Sequence, residues 1–150
     1  MSENNDIQFA IQRIYLKDAS FETPQGAKTF TQKWEPKVQL DVNTRTEKLE
    51  DNHYEAVLRV TLTASQDDAT TLLIEVEQAG VFFCSGFNDE QLRQVLSTRA
   101  PEILFPYLRE TVDSLAVRGS FPAFMLAPIN FDALFQQALE QAQEKPQATH

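Results

Sequence analysis

The residues from Tyr54 to Ser65 constrain the fold more than any other stretch. Tyr54, Ala56, Leu58, Val60, Leu62 and Ala64 fall on one side, with Glu55, Arg59, Thr61, Thr63 and Ser65 on the other. A period of two sustained over this length suits only a long strand with one covered and one wet face. Gln66-Asp-Asp-Ala69 is turn chemistry, and the alternation resumes at Thr70 and runs to about Phe83. Leu72, Ile74 and Val76 share one side there, and Leu73, Glu75 and Glu77 the other. Val38, Leu40 and Val42 alternate with Lys37, Gln39 and Asp41 in an earlier strand. The charged segment from Arg45 to Asn52 reads as the turn that follows it.

The first strand starts on the Ile7, Phe9, Ile11 face and changes phase after Arg13 to Ile14 and Leu16, which predicts a bulge. From Ser20 to Pro36 no period is visible, yet the segment holds Phe21, Phe30 and Trp34. Structureless connections of that length are usually functional or disordered, and three large rings that need cover argue against disorder. These rings either plug the end of the core or line a groove, and periodicity leaves both open.

The second half is helical. Asn88 or Asp89 caps a helix with Leu92, Val95 and Leu96 on one face. Leu104, Leu108, Val112, Leu115 and Ala116 continue the stripe to Gly119, a natural terminator. Pro101 and Pro106 predict a break or kink. Ile103, Phe105 and Tyr107 make the helix apolar on other sides too, more than one four-stranded sheet covers, which hints at oligomerisation. A last amphipathic helix begins at Asn130 with Phe131, Leu134, Phe135, Ala138 and Leu139 in helical spacing. The fold class is therefore α+β in a single domain over 1–143, with a disordered tail over 144–150.

Charge and composition narrow the function. Among 150 residues, 13 Lys and Arg stand against 22 Asp and Glu, a formal net charge of −9. Phosphate binding needs clustered cations, so no nucleic-acid partner is expected, nor docking on an anionic membrane. The polar, acidic Met1–Asp6 start is unlike a signal peptide, and no apolar run approaches the roughly 20 residues of a membrane span, so a soluble, cytoplasmic protein is expected. One cysteine and two histidines cannot make a closed zinc site. Four glycines build neither a Walker-type loop nor GxGxxG, so no nucleotide cofactor is expected. His53 reads as a strand-end residue, Cys84 as a small buried hydrophobe, and the Glu75/Glu77 and Asp67/Asp68 pairs as solvated groups; no enzyme is expected.

Four blocks carry a resemblance: IYLKDASFE from Ile14 to Glu22, ILFPY from Ile103 to Tyr107, RGSFP from Arg118 to Pro122, and LAPINFDALF from Leu126 to Phe135. Together they resemble the bacterial export chaperone family SecB over essentially the whole chain. The resemblance implies a four-stranded antiparallel sheet, a long kinked helix and a C-terminal amphipathic helix in a cytoplasmic homotetramer, a dimer of dimers. It implies a holdase without ATP or other cofactor, one that keeps unfolded precursor proteins competent for translocation and delivers them to the motor SecA. By motif position the SecA-binding residues are Asp18, Glu22, Leu73 and Glu75, and Ile74, Val76 and Gln78 point toward the contact between dimers. Loop and helix geometry add Phe21, Trp34, Val38, Leu40, Phe135 and Leu139 as the client groove. The alternatives are a chaperone dedicated to one client such as an antitoxin, a small α+β enzyme or ligand-binding domain with a pocket under the Trp34 loop, and a pure oligomerisation scaffold.

Overall fold

The computed structural model describes residues 6–148, with side chains to Gln143. Four strands, β1 (Gln8–Glu22), β2 (Lys37–Glu50), β3 (His53–Gln66) and β4 (Ala69–Ser85), precede two helices, α1 (Asp89–Arg118) and α2 (Phe131–Ala148). The sheet is antiparallel throughout, in the order β1-β4-β3-β2. Asp67 and Asp68, both at positive φ (52° and 62°), close the tight β3–β4 hairpin, the geometry that two-residue links favour.

β3 and β4 are central because their alternating faces can be covered on one side and paired on both edges. On the inner face, Leu40, Leu62, Ile74 and Phe21 form one rung across the four strands, with Val42, Val60, Val76 and Ala19 the next. α1 lies on this face and buries Leu104, Leu108 and Val112 completely against it. Asn88 caps α1: its side chain accepts from Gln91 N–H while the Gln91 amide reaches back to Asn88 N–H.

One expectation is corrected and another narrowed. β2 does not end at Val42; it continues to Glu50, and the turn shrinks to Asp51 and Asn52, the latter at φ 63°. Arg45, Glu47 and Lys48 lie on an edge strand, where charge is tolerated because both faces reach water. Of the break or kink expected at the prolines, the break is absent: α1 is continuous through Pro101 and Pro106. Each costs one backbone hydrogen bond, but Pro101 is itself in the buried face, and apolar contacts on both sides of it fix the helix path. The phase change in β1 is present, with register shifts between Ile11 and Arg13 and between Leu16 and Asp18.

α2 starts where Asn130 accepts from Ala133 N–H at 2.9 Å. Its backbone continues to Ala148, past the Glu144 at which the sequence expectation begins the tail; Thr149 and His150 lie outside the described residues.

Candidate functional site

The outer face of the sheet collects the acidic groups. After the second β1 register shift, Asp18 stands opposite Glu77, Ser20 opposite Glu75, and Glu22 opposite Leu73. Asp18, Glu22, Leu73 and Glu75 thus share one corner of one face. Asp18 and Glu22 are exposed, and Leu73 and Glu75 half-buried. Arg59 of β3 binds Glu75 at 2.6 Å, and Arg45 of β2 grips Glu77 with two nitrogens at 2.9 and 3.2 Å. The Arg45 guanidinium holds the Glu77 carboxyl below the usual carboxylate range.

Farther along the same face sits a less exposed polar cluster. Lys17 Nζ donates to both Glu55 carboxylate oxygens at 2.9 and 2.8 Å, and Tyr15 donates its hydroxyl to the same group. Val57 and Ala79 are buried in the rung between Arg45 and Tyr15, so this outer face is only partly wet. Burial by itself pushes the Glu55 carboxyl up, but the Lys17 and Tyr15 hydrogen bonds outweigh it and hold the group below its ordinary value. Burial, helped by Glu55, pushes the Tyr15 phenol up to about 12. A carboxylate with a lowered folded value stabilises above its unfolded value, about 4.3, and the contribution is lost as pH falls through the folded one. Glu55→Gln is therefore expected to cost about 1–3 kcal/mol at neutral pH. The difference from wild type should vanish on acidification, as followed by denaturant unfolding at stepped pH.

The inner face leads to apolar surface. Phe121, only 5% exposed, follows the end of α1 and donates its N–H to Ala116 O at 2.9 Å. Phe21, Phe30 and Trp34 all pack on its ring, with centroids at 6.4, 5.4 and 5.0 Å. A Cβ at Gly119 would run into the end of the Phe21 ring, which would have to shift to admit it. The irregular segment thus closes the end of the core, one of the two readings the sequence leaves open, with Phe30 exposed and Trp34 half-buried. Sequence reasoning missed Phe121. From there the inner row of β2 (Val38, Leu40, Val42) runs along the free edge of the sheet. An open groove of about 580 Å³ lies between β2 and α2, lined by Val42, Thr44, Phe131, Phe135 and Leu139. The six proposed client residues therefore fall into two patches, Phe21 with Trp34 at the aromatic end and Phe135 with Leu139 in the α2 groove. Val38 and Leu40 lie on the strand between them.

Ile74 and Val76 are fully buried under α1 in the chain's own core. Gln78, also buried, donates to Tyr15 O at 3.1 Å and borders a surface hollow with Ile14, Leu16, Pro106 and Tyr107. Leu16 and Tyr107 are about half exposed there. His53 places Nδ1 2.8 Å from Asp51 O and turns its ring edge to Phe83; burial raises the Cys84 thiol to about 11. Among the described residues no cluster is placed to hold a metal, and no helix is long and apolar enough to cross a membrane.

The α+β fold thus carries an acidic corner on one face of its sheet and, on the other, a groove of mixed polar and apolar lining beside an edge strand. The family model described as preprotein translocase subunit SecB matches residues 2–142. "Protein-export protein SecB" of Hahella chejuensis is 50% identical over 99% of this chain and 96% of its own length. The protein of that name from Legionella pneumophila is 51% identical over 95% of this chain and 88% of its own. The chain belongs to the SecB family. Among solved structures, the Mycobacterium tuberculosis Rv1957 SecB-like chaperone, determined with a ChAD peptide from the HigA1 antitoxin, aligns with a TM-score of 0.65 over 81% of this chain and 90% of its own. At 16% identity it shares the fold.

Proposed function

We propose that this chain is an ATP-independent, non-catalytic holdase that binds unfolded precursor proteins in the β2–α2 groove and hands them to SecA from the acidic face. The observation that carries this reading is half-buried apolar surface continuous with an unpaired strand edge, which accepts extended chains of many sequences through side-chain burial and backbone pairing. The hollow between β1 and α1, with Leu16 and Tyr107 exposed at its rim, supports assembly with a second copy, and a homotetramer built as a dimer of dimers fits a helix that is apolar on several sides. Ile74 and Val76 would then act on assembly through α1, which they support from below, while Gln78 borders the contact. Such a particle works in the cytoplasm, before its clients cross the membrane.

The test is native mass determination with and without an unfolded precursor. A tetramer that takes up the precursor and delays its aggregation without ATP is expected; a monomer that leaves aggregation unchanged would refute the reading. For the motor, Asp18→Lys with Glu75→Lys is expected to weaken SecA binding, most at low salt where surface charge is least screened, while client affinity is kept. Equal loss of both activities would mean that the variant misfolds.

A further inference from the structure

We propose that Arg59 and Arg45 are internal counter-ions that hold down the affinity of the acidic face for its basic partner and decide which carboxylates that partner meets first. This inference rests on the reading that the face docks the motor. Of the four carboxylates in two adjoining rows, Glu75 and Glu77 on β4 already carry a guanidinium, at 2.6 and 2.9 Å. Asp18 and Glu22 on β1 make no ion pair among the described residues. The corner is therefore split into a bare acidic half on the edge strand, next to Leu73, and a neutralised half one strand inward.

A basic surface approaching this corner lands on Asp18, Glu22 and Leu73 without displacing anything. To engage Glu75 it must take the place of Arg59, and it meets two like charges as it does so. Each guanidinium reaches across to a carboxylate on β4, the strand next to β1 and about 5 Å from it, so its charge acts on the bare half over a distance comparable to the Debye length at physiological salt. Exposed ion pairs exchange easily, and the Arg45 and Arg59 side chains are each 47% exposed, which makes them a brake that a stronger partner can lift. The device gives release as well as capture: when the motor leaves, Glu75 and Glu77 recover their own partners at once.

Arg59→Gln and Arg45→Gln remove the charge while keeping a hydrogen-bonding stem. Each is expected to tighten binding of purified SecA to the assembled protein by about two- to fivefold at low salt, the span that exposed pairs cover. The double variant should gain more, and the gain should fade as salt rises. Arg59→Lys keeps the charge and should bind as wild type. Asp18→Asn runs alongside as the check on the docking face itself. If Asp18→Asn weakens binding while Arg59→Gln leaves it unchanged or weaker, the counter-ion inference is wrong and the docking face stands. If neither variant alters binding, the docking face is wrong and the inference goes with it. Tightening by Arg59→Lys equal to that by Arg59→Gln would assign the effect to side-chain shape and also overturn it. Unchanged native mass and unchanged affinity for an unfolded precursor certify that each variant is folded.

Discussion

Phe121→Ala is expected to lower folding stability by about 3–5 kcal/mol, the usual cost of removing a buried phenylalanine, and Tm by roughly 10 °C. The upper part of that range applies because the cavity cannot close easily. Three rings lean on Phe121 from different directions, and its backbone is tied to Ala116 at the end of α1. The loss should also show outside stability. Trp34 is the sole tryptophan, so its emission reports this cluster alone and should shift to the red as the ring gains water. Client affinity should fall with it, because Phe21 and Trp34 lose the surface that orients them. Phe121→Leu fills most of the space and should restore much of the stability. Unchanged Trp34 emission in Phe121→Ala would show that the ring is not the anchor assigned to it.

That Phe121 escaped the sequence while its neighbours did not has a physical cause. Phe21, Phe30 and Trp34 stand out as large rings with no period to explain them, whereas Phe121 sits inside RGSFP and reads as part of a terminator. The available signal was its place just beyond Gly119, where an apolar residue commonly folds back on the helix end. The central strands were legible because burial on one face writes a period of two, and the caps at Asn88 and Asn130 because few residue types can satisfy free backbone N–H groups. β2 beyond Val42 was not, since an edge strand with two wet faces leaves no alternation to find. The acidic corner was half legible. Leu73 and Glu75 follow from β4 alone, but Asp18 and Glu22 reach the same face only through the second register shift between Leu16 and Asp18. A slip of one residue sends every side chain to the opposite face, so the first strand's phase could not be carried through by counting. The Arg59 and Arg45 partners depend on cross-strand register and were invisible for the same reason.

Leu40→Glu combined with Phe135→Glu is expected to leave the assembly's mass unchanged and to abolish stable capture of long unfolded precursors. Both positions are half-buried, Phe135 in the α2 groove and Leu40 farther along β2, so the new carboxylates can turn outward and spare the core. They remove apolar contact from the path that a client must follow along β2 and under α2. At about 25 cal/mol per Å², losing some 80 Å² of covered surface costs about 2 kcal/mol per groove, or roughly thirtyfold in affinity. A short peptide occupies one groove and should show a loss of that size. A long precursor that spans several grooves holds on through effective concentration, so its losses multiply, and even two grooves give about a thousandfold. The diagnostic is the ratio between the two ligands, and neutral client segments keep the added charge from contributing. Equal losses for short and long ligands would mean that clients engage a single groove, and no loss in an intact assembly would place the client surface elsewhere on the molecule.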